Sequence, residues 1–140
     1  MPKGKTQAVT DPLAPFSGAT RRWFRGSLGE PTRAQALAWD HIAHGRSVLL
    51  SAPTGSGKTL AAFLYAIDRL SFGPAPSSPS EALRVLYVSP LKALAVDVER
   101  NLRAPLAGID ALASHDGERV RPVTVGVRTG DTSTQARAAH

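Results

Sequence analysis

The chain has no cysteine among its 140 residues. This excludes a disulfide bond and a thiolate metal site, and it is compatible with a reducing compartment. No uninterrupted apolar run approaches the roughly 18 residues that a membrane-spanning helix needs. The N-terminal lysines have no apolar segment behind them, so the start of the chain is unlike a signal peptide. We therefore expect a cytoplasmic protein with no membrane partner.

The composition is that of an ordinary globular domain with an excess of positive charge. Hydrophobic residues make up 42% and charged residues 20%, which is enough for one domain with a core. The net charge of +6 is compatible with a nucleic-acid partner but is weak evidence alone. The densest basic cluster is Arg21, Arg22 and Arg25, which is either a solvated face or a contact for a polyanion.

The most informative segment is Ala-Pro-Thr-Gly-Ser-Gly-Lys-Thr at residues 52–59. It follows a short apolar run at 47–51 and precedes a helical pattern at 60–67. A strand, a Gly-rich loop ending in Gly-Lys-Thr and a helix are the context of a phosphate-binding loop. The strict pattern opens with Gly where this chain has Ala52, a residue small enough for a tight turn.

Each residue type in this loop suits phosphate chemistry. Gly55 and Gly57 permit backbone angles that a Cβ would forbid, so main-chain N–H groups can point at phosphates. Lys58 is expected to reach the β and γ phosphates, and Thr59 to place its hydroxyl on Mg²⁺. Lys58 and Thr59 are therefore the candidate catalytic residues, and Thr59 is the candidate metal contact through the nucleotide.

The remaining pattern alternates between helices and strands. Thr32 is a predicted N-cap, and Gln35 three residues later completes a capping box. Strands are predicted at 47–51, 84–89 and 123–127. One predicted helix follows the loop and ends at 70 or 72. Another begins at 91 and is expected to be broken or to end near 105–108. This alternation predicts an α/β fold, a parallel sheet with helices on both faces.

Four separated stretches resemble the motor domain of superfamily 2 helicases of the DExH/DEAD type, and within that group the large helicase-related proteins. They are the stretches at 31–39, 51–64, 87–95 and 125–132. Residues 1–15 are rich in Pro, Gly, Lys and Thr, so we expect a flexible tail there. The resemblance implies that 16–140 are the amino-terminal part of a RecA-like P-loop domain. It implies ATP and Mg²⁺ as cofactors and a single strand of DNA or RNA as partner.

The resemblance assigns nucleotide contacts beyond the loop. It implies that Gln35 reads adenine through its amide, although Gln35 could instead only close the capping box with Thr32. An aromatic residue near the base could be Phe16, Trp23 or Phe24, and core packing is an equal alternative for each. The full set of expected nucleotide-binding residues is Gln35, Thr54, Gly55, Ser56, Gly57, Lys58 and Thr59.

Two further stretches resemble elements that touch the backbone of a bound strand. The first is Pro90, Leu91 and Lys92, where a strand-to-helix turn can present N–H groups and a positive charge to a phosphate. The second is Arg128, Thr129 and Gly130, where a hydroxyl and close backbone approach suit a phosphate. The alternatives are an ordinary turn with a surface lysine and a Gly-Asp turn, respectively.

The sequence departs from the family in one respect. No Asp-Glu box follows an apolar strand, since Asp97 and Glu99 lie in a helical pattern and Asp116 and Glu118 in a polar segment. We therefore expect the amino-terminal portion of a longer helicase or a truncated product. The parent would couple ATP hydrolysis to movement along a strand, whereas this chain alone should bind nucleotide poorly and hydrolyse it hardly at all. Another P-loop NTPase or kinase and a noncatalytic binding module remain alternatives.

Overall fold

The structure is a computed structural model that describes residues 11–132. It contains four α-helices joined by irregular segments, with one short 3₁₀ helix at Pro79–Glu81. The α-helices are α1 (Gly18–Leu28), α2 (Arg33–Ala43), α3 (Lys58–Phe72) and α4 (Lys92–His115). No helix of the described part is both long and apolar enough to cross a membrane.

The predicted α/β fold with a parallel sheet is wrong for the described residues. Residues 11–132 contain no β-strand, and no backbone hydrogen bond joins 47–51, 84–89 and 123–127 to one another. Side chains that should be buried in a sheet are exposed, with Leu49 at 97% and Val88 at 79%. A parallel strand depends on partners distant in sequence, whereas a helix satisfies its backbone locally. The described fold is therefore helical.

The core lies between the four helices and the segment before α1. Aromatic rings meet edge to face at its centre, with the Phe16 and Trp39 centroids 4.9 Å apart and the Phe24 and Trp39 centroids 5.5 Å apart. The indole Nε1 of Trp39 donates to the carbonyl of Ala61 at 3.1 Å, which joins α2 to α3. Phe16 and Phe24 are buried, so both rings are committed to packing.

The segment before α1 is anchored to α3. Leu13 is fully buried, and Ser17 caps α1 by accepting from the backbone N–H of Thr20 at 3.2 Å. The backbone N–H of Ser17 donates to the buried carboxylate of Asp68 on α3 at 2.9 Å. Residues 1–10 of the expected tail lie outside the described residues, and the division into tail and domain stays a prediction.

Helix α4 continues through the point where a break was expected. It runs from Lys92 to His115 with Pro105 inside it. Pro105 is buried, and Gly108 lies so close to α1 that a Cβ there would be 2.3 Å from Nε1 of Trp23. Tertiary packing outweighs the one backbone hydrogen bond that proline removes, so the expectation of a broken helix is wrong.

Candidate nucleotide and nucleic-acid site

The loop at 52–59 turns into α3 through two left-handed glycines. Gly55 and Gly57 both have φ of 79°, and Gly57 is the N-cap of α3. Between them, the backbone N–H of Ser56 donates to the carbonyl of Pro53 at 3.3 Å. The expectation that these glycines adopt angles unfavourable to other residues is confirmed by this geometry.

The first turn of α3 has no side chain that neutralises its positive end. Gly57 provides no side-chain cap, and the first turn contains no acidic residue. The first N–H groups of a helix have no partner within the helix, and the helix dipole is positive there. Thr59 is exposed in this turn, beside Lys58. This end of α3 therefore suits an anion.

The amine of Lys58 lies across the loop. Its Nζ donates to the carbonyl of Ala52 at 2.5 Å and to the carbonyl of Pro53 at 2.6 Å. Within residues 11–132 Lys58 forms no ion pair with a carboxylate. Neutral carbonyls bind an ammonium group more weakly than a charged phosphate does, so an incoming phosphate can replace them.

Gln35 joins the start of α2 to the loop. Its Oε1 accepts from the backbone N–H of Thr32 at 2.9 Å, and its own N–H donates to Oγ1 of Thr32 at 3.2 Å. Its Nε2 donates to the carbonyl of Gly57 at 3.4 Å, and Thr32 Oγ1 donates to the carbonyl of Ser56 at 3.0 Å. The predicted capping box is therefore confirmed. The same two residues also hold the loop at 52–59.

One polar atom of the loop has no partner. The Oγ of Ser56 is buried and, among the described residues, is the single buried side-chain polar atom without a hydrogen bond. A buried hydroxyl normally finds a partner, because leaving it unpaired costs about 1–3 kcal/mol. Thr54, the neighbouring hydroxyl residue of the loop, is exposed.

A second group of predicted residues meets at the start of α4. Helix α4 begins at Lys92, after Leu91 as an N-cap without a side-chain hydrogen bond, and Pro90 and Leu91 are exposed. The Nζ of Lys92 forms an ion pair with Oδ2 of Asp131 at 2.5 Å. The two stretches expected to contact a strand are thus adjacent, although 39 residues separate Lys92 from Asp131 in the chain.

The second of these stretches is a turn fixed by two threonines. The backbone N–H of Thr129 donates to Oγ1 of Thr132 at 2.8 Å, and the backbone N–H of Thr132 donates to the carbonyl of Thr129 at 3.1 Å. Asp131 donates its N–H to Oγ1 of Thr129 at 3.3 Å. A Cβ on Gly130 would lie 3.7 Å from Cε of Lys92, so the lysine side chain passes over this glycine. Arg128 is exposed beside the turn.

Comparison with known protein families identifies the family of this chain. The family model for the DEAD/DEAH box helicases matches residues 32–135. The chain belongs to this helicase family. The resemblance drawn from the four sequence stretches is therefore confirmed.

Relatives at high identity are helicases of the Lhr type. The chain is 59% identical over 129 residues to the Lhr helicase/probable uracil glycosylase of Mycolicibacterium smegmatis, covering 92% of this chain and 8% of that protein. It is 48% identical to the Lhr helicase/uracil glycosylase of Escherichia coli, covering 88% of this chain and 8% of that protein. It is 43% identical to the ATP-dependent helicase Lhr-Core of Methanothermobacter thermautotrophicus, covering 83% of this chain and 13% of that protein.

A solved helicase shares the backbone path of this chain. The structure is that of Mycobacterium smegmatis helicase Lhr bound to ssDNA and AMP-PNP, with a TM-score of 0.83 and 55% sequence identity. The match covers 93% of this chain and 16% of the solved chain. The present chain thus spans less than a fifth of the helicases that it resembles.

Sequence reasoning missed two contacts among the candidate site residues. The hydroxyl of Thr32 also binds the loop at Ser56, and Asp131 pairs with Lys92. The first was within reach, since a Thr before a predicted helix is a cap whose hydroxyl hydrogen remains free to donate. The second had no local signal, because the two residues belong to different motifs.

The arginine cluster on α1 is largely engaged within the protein. Arg22 pairs with Asp116 and Glu118 beyond the end of α4, and Arg25 pairs with Asp11 at 2.8 Å. These pairs tie α1 to its neighbours and offset two of the positive charges. They favour the interpretation of a solvated, structurally used face over a contact for a polyanion.

No group of three potential metal ligands occurs among residues 11–132.

Proposed function

We propose that this chain is the ATP-binding portion of an ATP-dependent helicase, with Mg·ATP at residues 52–59 and a single nucleic-acid strand at residues 90–92 and 128–130. The observation that carries the proposal is the loop itself. Two left-handed glycines lead into a helix start without a neutralising side chain, and the Lys58 amine there is held by neutral carbonyls. This arrangement suits a polyphosphate.

The loop residues would divide the phosphate contacts among them. Backbone N–H groups from Thr54 to Thr59 provide the cradle, except that of Ser56, which donates to the carbonyl of Pro53. Lys58 exchanges the carbonyls of Ala52 and Pro53 for the β and γ phosphate oxygens. The unpaired Oγ of Ser56 gains a partner when phosphate is close. The exposed hydroxyl of Thr59 would be the protein ligand for Mg²⁺, which would supply positive charge to the phosphates.

Gln35 retains the capacity to read adenine while it holds the loop. An amide has two N–H donors and an oxygen with two lone pairs. One donor is used by Gly57 and one lone pair by Thr32, so one of each remains. We assign the remaining donor to a ring nitrogen of adenine and the remaining lone pair to its exocyclic amine.

The strand contacts would involve backbone phosphates only. Pro90 and Leu91 lead into the start of α4, where free N–H groups and Lys92 face a phosphate. Arg128 adds charge, Gly130 allows close approach, and Thr129 can donate its hydroxyl hydrogen, since its oxygen already accepts from Asp131. None of these groups reads base edges, so little sequence preference is expected.

The activity of the whole helicase is a wider proposal. The solved relative was bound to ssDNA and AMP-PNP, and we infer the same two classes of ligand for this chain. Coupling of ATP hydrolysis to movement along a strand is proposed for the full protein. That this chain alone hydrolyses ATP hardly at all stays a prediction.

The test is a titration of the 140-residue chain with a fluorescent ATP analogue and Mg²⁺. Lys58→Ala should weaken binding at least about tenfold, because a charge-assisted contact to phosphate is lost. Arg100→Ala on α4 removes the same charge from an exposed position outside the site and should leave affinity unchanged. Equal affinities for the native chain and Lys58→Ala would reject the proposal.

A further inference from the structure

We propose that Asp131 is an internal competitor for the strand phosphate at Lys92. The inference rests on the proposed strand contact and adds a regulating residue to it. In the structure Oδ2 of Asp131 lies 2.5 Å from Nζ of Lys92, in the position that a phosphate oxygen would take toward that amine. A bound strand must therefore displace a carboxylate before Lys92 can contact it.

The turn at 129–132 holds the carboxylate in place. Hydrogen bonds between Thr129 and Thr132 close the turn, and the backbone N–H of Asp131 donates to Thr129 Oγ1. Lys92 passes over Gly130, where a Cβ would lie 3.7 Å from Cε and 3.9 Å from Nζ. The turn therefore fixes the backbone of Asp131 next to the side chain of Lys92.

The exposure of the pair makes the exchange easy. The side chains of Lys92 and Asp131 are 57% and 78% exposed. Exposed ion pairs contribute little, so displacement by a phosphate is a modest barrier. When the strand leaves, Lys92 returns to Asp131, so its ammonium group regains a counter-charge. Such an exchangeable contact suits a protein that must release a strand repeatedly.

The main test compares native chain and Asp131→Asn by fluorescence anisotropy with a labelled oligo-dT strand. Asparagine keeps the shape of the turn and removes the competing charge. We expect Asp131→Asn to tighten binding about two- to fivefold at about 0.1 M salt, the range that an exposed ion pair allows. The slope of log affinity against log salt should change by less than ~0.7, because Lys92 contacts the same phosphate in both proteins.

Asp110→Asn is the control matched in charge. Asp110 is exposed on α4, 18 residues beyond Lys92 and so about 27 Å along the helix. That distance exceeds the Debye length of about 10 Å at 0.1 M salt, so this variant should bind like the native chain. A gain equal to that of Asp131→Asn would mean that net charge alone explains the result, and would overturn the inference.

A Lys92→Ala background separates the two proposals. If Lys92→Ala binds the strand as the native chain does, the proposed strand contact at Lys92 fails, and the competitor role fails with it. If Lys92→Ala weakens binding but Asp131→Asn has no effect, only the competitor role is overturned. A gain from Asp131→Asn that disappears when Lys92 is alanine supports the inference, and a gain that persists overturns it.

Discussion

The side-chain amide of Gln35 lies directly against the backbone of Gly57. Its Nε2 donates to the Gly57 carbonyl at 3.4 Å, and a Cβ on Gly57 would be 2.3 Å from the same nitrogen. The start of α2 and the phosphate loop therefore form one unit. We expect a substitution of either residue to change the affinity for nucleotide.

Gly57→Ala should disrupt the loop. The new Cβ overlaps Gln35 Nε2, and φ of 79° is unfavourable for alanine by roughly 1–2 kcal/mol. We expect a loss of ATP affinity of more than about tenfold in a titration with a fluorescent analogue. Gly55→Ala is the matched control, because Gly55 has the same φ but nothing within 4 Å of its Cβ position. An equal loss in both variants would show that backbone strain, not the contact with Gln35, is responsible.

Gln35→Ala should weaken ATP binding more than GTP binding. The variant loses the proposed adenine contacts as well as the link to the loop, whereas GTP presents different groups at the base. Thr32→Ala is the control, since it removes the cap and the bond to Ser56 but keeps the Gln35 amide. It should affect ATP and GTP equally and lower helix stability by about 1 kcal/mol. If Gln35→Ala also lowers both affinities equally, Gln35 acts only through the loop.

Gly108→Ala should destabilise the contact between α1 and α4. The added Cβ would lie 2.3 Å from Trp23 Nε1, and overpacking of this kind costs about 1–3 kcal/mol. Gly26→Ala is the matched change in α1, where nothing lies within 4 Å and alanine gains up to about 1 kcal/mol of helix propensity. Both variants gain helix propensity, so the urea midpoint followed by circular dichroism should be lower for Gly108→Ala than for Gly26→Ala because of the clash with Trp23. Equal midpoints would contradict the described packing.

Stability should fall in acid through the carboxylate that joins α4 to α1. The pKa of Asp116 is lowered from the ordinary value of 3.8 by a hydrogen bond from His115 and by the positive charge of Arg22. A group with a lowered folded pKa stabilises the protein above its unfolded pKa and loses that effect as the pH falls through the folded pKa. The temperature of the unfolding midpoint should therefore decrease as the pH is lowered below about 4. This decrease should be smaller in Asp116→Asn. An unchanged pH profile in Asp116→Asn would refute this role.

The sequence predicted those parts of the molecule that local interactions decide. The capping box of Thr32 and Gln35 lies within four residues, and the glycines of the phosphate loop are needed for the turn in which they occur. Helix α3 begins at Lys58, two residues before the helical pattern predicted at 60–67. These features depend on neighbours in the chain, which a sequence pattern contains.

The predictions that were wrong or missing concern features that depend on contacts between residues distant in the chain. The run at 84–89 has the composition of a buried strand, but its hydrogen bonds would have to come from elsewhere, and Leu86 is 77% exposed. Helix α4 passes through Pro105 because packing against α1 decides its course. The pairing of Lys92 with Asp131 joins two motifs that have no mutual signal in the sequence.

The most direct test of the phosphate loop is an amide titration by ¹H–¹⁵N NMR on the native chain. Mg·AMP-PNP should shift the backbone amides of Gly55, Gly57, Lys58 and Thr59, and inorganic triphosphate with Mg²⁺ should shift the same amides. Adenosine, which has no phosphate, should leave them in place. Amides at 55–59 that stay unmoved while saturating AMP-PNP shifts others would contradict the account.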